Sequence, residues 1–218
     1  MRDTYREELE DINASLVSMA NTVGSAMSTA TTALLDADVA LADLVIAGDE
    51  HVDGVRESIE QRCFTLLARQ QPVATDLRTI TTAMRIVSDL ERMGDLAVHV
   101  AKLARMRFPE HAVPQEVRPI LLEAGHVAES LVTKTATVIA TLDVEAAVAL
   151  EAEDDLMDDL HQEMFAALLS PDWSHGVEPA VDLSLLGRFY ERFADHAVSV
   201  ARRVYYLVTG EREMTAAS

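Results

Sequence analysis

Apolar residues in this chain recur every three or four positions almost from end to end. The first segment sets the pattern with Leu9, Ile12, Leu16, Met19, Val23, Met27, Ala30 and Leu34. At 3.6 residues per turn these side chains share one face of a long helix. No period-two alternation persists, so a half-buried sheet has no sequence to build on. Aromatics are only 5% of the residues while Ala, Val, Leu and Met are plentiful, which also favours packed helices.

Breakers divide the pattern into six pieces. The first helix ends near 35–37, and Asp38 is placed to cap a second that runs to about Arg69. Pro72 suits the first turn of a third helix, which ends before Phe108-Pro109. The fourth is expected from about Glu116 to Thr141. Asp143 caps a fifth that ends near Leu169, and a sixth runs from about Glu178 to Thr209. The expected organisation is therefore a three-helix unit over 1–108, a linker over 109–115, a second unit over 116–210 and a frayed tail over 211–218.

Internal similarity supports a duplication. DLERMGDLAVHVAK (Asp89 to Lys102) lies over FYERFADHAVSVAR (Phe189 to Arg202) at a shift of 100 residues. Asp38, Val39, Asp49 and Asp53 lie over Asp143, Val144, Asp154 and Asp158 at a shift of 105.

The net charge of −19 repels nucleic-acid phosphates and disfavours adhesion to an anionic membrane. It would attract multivalent cations or a basic protein patch, and it also serves solubility. The single cysteine, Cys63, cannot form an internal disulfide, and its spacing with Ile59 and Leu66 reads as a small buried hydrophobe. The charged start MRDTYREELEDI lacks an apolar signal core, and no run of about 18 apolar residues occurs. A cytoplasmic protein with no direct membrane insertion is expected.

Four acidic pairs stand four residues apart: Asp49/Asp53, Glu91/Asp95, Asp154/Asp158 and Glu191/Asp195. Each pair shares a helix face, where like charges cost roughly 0.2–0.5 kcal/mol. A tight turn near Gln71-Pro72 makes the second and third helices antiparallel neighbours. Counting outward from it at 1.5 Å per residue puts Asp53 level with Glu91 and Asp49 with Asp95. The same count from Trp173-Ser174 puts Asp158 level with Glu191 and Asp154 with Asp195, although Asp155 and Asp159 offer a second register. Glu91 shares its stripe with Val87, Gly94 and Val98, and Glu191 with Gly187, Ala194 and Val198, so both border an apolar face. Clustered carboxylates there raise one another's pKa unless a cation neutralises them. Oxygen-only clusters suit hard cations such as Mg²⁺, Mn²⁺, Ca²⁺ or iron. The competing readings are a solvated acidic face, or internal ion pairs with Arg92 and Arg192.

RQQPVATDLRTI (Arg69 to Ile80), DLERMGD (Asp89 to Asp95) and ERFADHA (Glu191 to Ala197) resemble the signatures of the PhoU family of phosphate-uptake regulators, over about residues 5–210. The resemblance implies an all-α fold, with six helices forming two pseudo-twofold-related three-helix bundles. It implies a divalent or trivalent cation (iron, manganese, magnesium or zinc) at E/D-x-x-x-D motifs. By position these fall on Asp49, Asp53, Glu91, Asp95, Asp154, Asp158, Glu191 and Asp195. It further implies a homodimer that negatively regulates phosphate import and the phosphate-starvation response. The implied partners are the ATPase subunit of the phosphate ABC transporter and the phosphate-sensing histidine kinase. Two departures stand out. Asp89 has Phe189 opposite it, which suggests a second site poorer in ligands. The segment Pro72 to Arg78 has no counterpart in the second half, and its simplest role is a helix start.

An enzyme is the main rival. A ferritin-like di-iron oxidase needs two E-x-x-H pairs, and only Glu123/His126 occurs. His99, His161 and His196 lie near helix carboxylates without forming a matched acid/base set. No phosphate-cradling Gly-rich loop and no G-x-S-x-G occurs. A metal-free helical adaptor with merely solvated acids is the other rival.

Overall fold

A computed structural model describes residues 2–211, 213 and 214. The frayed tail expected over 211–218 falls largely outside the described residues. The described chain forms six helices: α1 (Arg2–Asp36), α2 (Val39–Gln70), α3 (Thr75–Arg107), α4 (Arg118–Thr141), α5 (Val144–Leu168) and α6 (Val177–Thr209).

The helix starts follow local chemistry. Asp38 accepts the amides of Ala40 and Leu41 at 2.9 and 3.0 Å. Asp143 accepts those of Glu145 and Ala146 at 2.9 and 3.1 Å. Each carboxylate satisfies amides that a helix start leaves without partners. At the other end of α1, His111 and Arg118 bond the Leu35 carbonyl, which ties the 109–117 connection onto the bundle. Pro72 does not enter α3, contrary to expectation. Gln71 ends α2 in the left-handed region at φ 47°, and Ala74 has φ 50°. Neither backbone can belong to a right-handed helix, so α3 begins at Thr75, with Asp76 in its first turn.

Helices α1, α2 and α3 pack on one another, as do α5 and α4 on α6 and on each other. The two sets meet along two seams, α1 with α4 and α3 with α6, while α2 and α5 each touch only their own set. The apolar series of α1 is buried from Ile12 to Leu34, and one continuous core runs through both sets.

The seams carry the pseudo-twofold. Gly24 of α1 lies against Val132 of α4, and Gly125 of α4 lies against Thr31 of α1. A Cβ at either glycine would come within 2.5 or 2.7 Å of its neighbour, so each glycine permits an approach that no larger residue allows. In the other seam the Ser199 hydroxyl donates to Asp89 at 3.1 Å, and the matching pair, Phe189 and His99, meets at a tilt with ring centroids 5.2 Å apart. Each contact recurs with the roles of the two halves exchanged.

Candidate metal centre

The outer hairpins α2–α3 and α5–α6 carry the acidic pairs. In the first, Val52 is buried between Asp49 and Asp53 on α2, and Gly94 is buried between Glu91 and Asp95 on α3. A Cβ on Gly94 would stand 3.2 Å from Val52 Cγ1, so the small residue lets the two helices approach where the acids flank them. Asp49 is held above the usual carboxylate range by burial, by Asp95 across the hairpin and by Asp53 on its own helix, with Lys102 and His99 opposing. Glu91 is raised by burial and by Asp95, relieved by Arg92 and Arg56, and raised again by Asp53. Asp49 therefore faces Asp95 and Glu91 faces Asp53, the levels that counting residues from the turn gives.

The second hairpin repeats the arrangement with a stronger field. Asp154 is pushed up to about 6 by burial and then by Asp158, Asp195 and Asp155, with Arg202 opposing. Asp158 is raised by burial, Glu191, Asp195 and Asp155, and lowered by His161. The first register of α5 is thus the one facing α6. Asp155 adds its charge from the side, and Asp159 takes no part in these couplings.

The glutamates have basic neighbours. Arg92 reaches Asp95 at 2.8 Å and Glu91 at 3.6 Å. In the second half the cation is not Arg192, which makes no ion pair among the described residues. Arg188 reaches Glu191 instead, one turn before it, and His161 Nδ1 lies 3.3 Å from the same carboxylate. His161 rests on Gly187, where a Cβ would come within 2.9 Å of its ring, and its Nε2 is buried without a hydrogen bond. At the shift of 105, Arg56 lies over His161, and Arg56 Nε is likewise buried without a partner. That alignment was the available signal for a basic group beside each glutamate.

Asp89 is not a member of the first acid cluster. It is 7% exposed and faces the opposite way, into the α3–α6 seam. There it meets His196 Nδ1 at 3.1 Å, the Ser199 hydroxyl at 3.1 Å and Arg203 Nε at 2.5 Å. The Asp89/Phe189 difference therefore does not deprive the second cluster of a ligand. Cys63 is buried and its thiol is pushed up to about 11, chiefly by burial, so it is no nucleophile at neutral pH.

Among the described residues, no three His, Cys, Asp or Glu side chains converge as a ready-made ligand set. The donor chemistry nonetheless fits a hard cation, because in each hairpin carboxylates of the two helices raise one another's pKa, a repulsion that a bound cation would relieve.

Comparison with known proteins gives one family. The PhoU domain matches residues 16–104 and again 121–204. PhoU homolog 2 of Mycobacterium tuberculosis (strain H37Rv), a phosphate-specific transport system accessory protein, is 49% identical over 210 residues, spanning 96% of this chain and 99% of the relative. PhoU homolog 1 of Mycobacterium leprae is 47% identical over 210 residues, covering 96% of this chain and 95% of its own length. The crystal structure of PhoU from Pseudomonas aeruginosa matches with a TM-score of 0.86 and 29% identity, over 95% of this chain and all of that one. Two matches to one domain in one chain agree with a duplicated three-helix unit. The chain belongs to the PhoU family.

Proposed function

We propose that this protein regulates phosphate uptake and the phosphate-starvation response as a cytoplasmic accessory of the phosphate transport system. It does so by contact with the transporter's ATPase subunit and with a phosphate-sensing histidine kinase, as a homodimer whose carboxylate clusters bind hard cations. It is an accessory protein and not an enzyme, in keeping with relatives named as transport accessory proteins. No described helix is long and apolar enough to cross a membrane, so contact with the transporter would be made from outside the bilayer.

The observation that carries the cation reading is the doubled set of facing acids, culminating in an aspartate pushed up to about 6. A cation is what makes four clustered carboxylates favourable. Asp49, Asp53, Glu91 and Asp95 would hold one ion or group of ions, and Asp154, Asp158, Glu191 and Asp195 the other. The protein would then fix its cations at both outer hairpins, where a partner surface can reach them.

A metal-free adaptor is favoured by one observation, the basic neighbours Arg92, Arg188 and His161 already beside the acids. Metal analysis of the purified protein, with calorimetric titration of Mn²⁺ and Mg²⁺ into wild type and a Glu91/Asp95/Glu191/Asp195 alanine variant, separates the two. Cation binding abolished in the variant supports the clusters, and equal binding by both proteins removes them. For the regulatory role, deletion is expected to misregulate phosphate uptake and phosphate-responsive transcription. Normal control at high and low phosphate, in a strain without a second PhoU gene, would overturn it.

A further inference from the structure

Helices α3 and α6 cross antiparallel, and the two ends of their seam are equivalent under the duplication. At one end Arg107 donates to Asp182 Oδ2 from Nε at 2.6 Å and also bonds Glu178, so the guanidinium is closed off by two acids. Residues 100 positions earlier, at the other end, are Arg78 in place of Glu178 and Thr82 in place of Asp182. The acids have become a cation and a hydroxyl. Thr82 is one wall of an open cleft of about 510 Å³, with Thr81 and Arg85 of α3 and Ser199, Arg202, Arg203 and Tyr206 of α6, while Arg78 stands outside the lining. The Arg78 guanidinium lies 5.7 Å from the centre of the Tyr206 ring, beside the cleft, and its Nε is buried without a hydrogen bond.

Two of the lining cations are already engaged, Arg202 by Glu151 and Arg203 by Asp89. Arg85 is exposed and makes no ion pair or hydrogen bond among the described residues. Among the described residues no carboxylate lines the cleft, although acidic residues outnumber basic ones by 37 to 18 in the chain. Guanidinium forks match phosphoryl oxygens, which accept paired, charge-assisted hydrogen bonds. The volume exceeds what one phosphate fills. An acidic protein surface would have to approach the whole −19 chain, whereas a small anion meets that field only within a screening length of about 8–10 Å.

We propose that this cleft, at the end of the α3–α6 seam where Arg78 and Thr82 replace the acids of the other end, binds a small molecule carrying two or more phosphoryl groups. The site is separate from the carboxylate clusters and does not depend on their binding a cation. Arg85 would close onto the ligand from α3, opposite Arg202 and Arg203 on α6.

Isothermal titration of the full chain in chelator, so that no cation can bridge an anion to the acidic hairpins, tests this with inorganic phosphate, pyrophosphate and ATP. Pyrophosphate or ATP should bind more tightly than phosphate, and Arg85→Ala should weaken binding about tenfold or more. Arg105→Ala, whose side chain pairs with Asp43 elsewhere on the surface, should leave it unchanged. Because Arg85 has no partner to lose, the variant should keep its fold, checked by an unaltered helical circular dichroism spectrum. Unchanged affinity in Arg85→Ala would overturn the proposal, as would no binding of any probe at millimolar concentration. Phosphate binding as tightly as pyrophosphate would remove the requirement for several phosphoryl groups. Binding of a polyglutamate peptide alone would make the cleft a protein-docking surface instead.

Discussion

Asp154 offers a direct measurement of the repulsion stored in the second hairpin. Its carboxyl is pushed from the ordinary 3.8 to about 6, by burial first and by Asp158, Asp195 and Asp155 after it. Taken at face value that gap is roughly 3 kcal/mol of destabilisation once the group is ionised. The side chain is partly exposed, so solvent screening reduces the figure to about 1–2 kcal/mol. The sign follows from linkage: a carboxylate with a raised folded-state pKa costs nothing below pH 3.8. The cost grows as pH rises through the folded value and is full near pH 7. In chelator at pH 7, Asp154→Asn should therefore stabilise the protein by about 1–2 kcal/mol, or about 2–8 °C in melting temperature for a chain of this size. The gain should shrink towards zero near pH 4. Urea denaturation of both proteins at several pH values reads the difference directly. With Mn²⁺ added, the order should reverse, because the wild type gains cation-induced stability that the variant has lost. A variant no more stable than wild type at pH 7, or equally stabilised at pH 4 and pH 7, would refute the electrostatic reasoning.

The seams yield two further predictions. Gly125→Ala would place a Cβ 2.7 Å from Thr31 Cγ2, and Thr31 is held by the Tyr190 hydroxyl at 2.7 Å and by the Met27 carbonyl at 2.8 Å. Thr31 cannot yield cheaply, so a loss of about 1–3 kcal/mol is expected in denaturant melts. Asp89→Ala would leave Arg203 and His196 in the seam without their shared acid, at about 2–4 kcal/mol given their partial exposure. Burial raises the Asp89 pKa, but hydrogen bonds from His196 and Arg203 outweigh it and hold the carboxyl below its usual range. Its stabilisation should therefore be present above about pH 4 and fade as pH falls through the depressed value. The difference in stability between wild type and Asp89→Ala, followed through that acid range, checks it.

The hairpin geometry was legible in the sequence because helices have a fixed rise and tight turns leave little freedom in register. That is why counting from Gln71-Pro72 paired Asp49 with Asp95 and Asp53 with Glu91. What escaped was direction around the helix axis. Asp89 sits two residues before Glu91, about 200° around the helix, and so belongs to the seam and not to the acid cluster. Arg92 and Arg192 stand at the same offset from their glutamates, yet among the described residues only Arg92 pairs with its own, and Glu191 is met instead by Arg188, three residues before it. The start of α3 departs from the proline signal for a different reason. Pro72 favours a first helical turn, but the left-handed backbones at Gln71 and Ala74 depend on how the hairpin closes, which composition does not encode. His161 carried a weak signal, visible only once Arg56 is aligned over it.

The paired glycines of α1 and α4 bear on how such a chain can change over time. Gly24 and Gly125 each clear room for a side chain of the opposite half, so neither copy of the duplicated unit fits a generic partner. Enlarging one copy requires trimming the other, and a half transplanted into a foreign chain would meet a surface of the wrong shape. Divergence is therefore easier at the unequal ends of the α3–α6 crossing, where the two copies already differ.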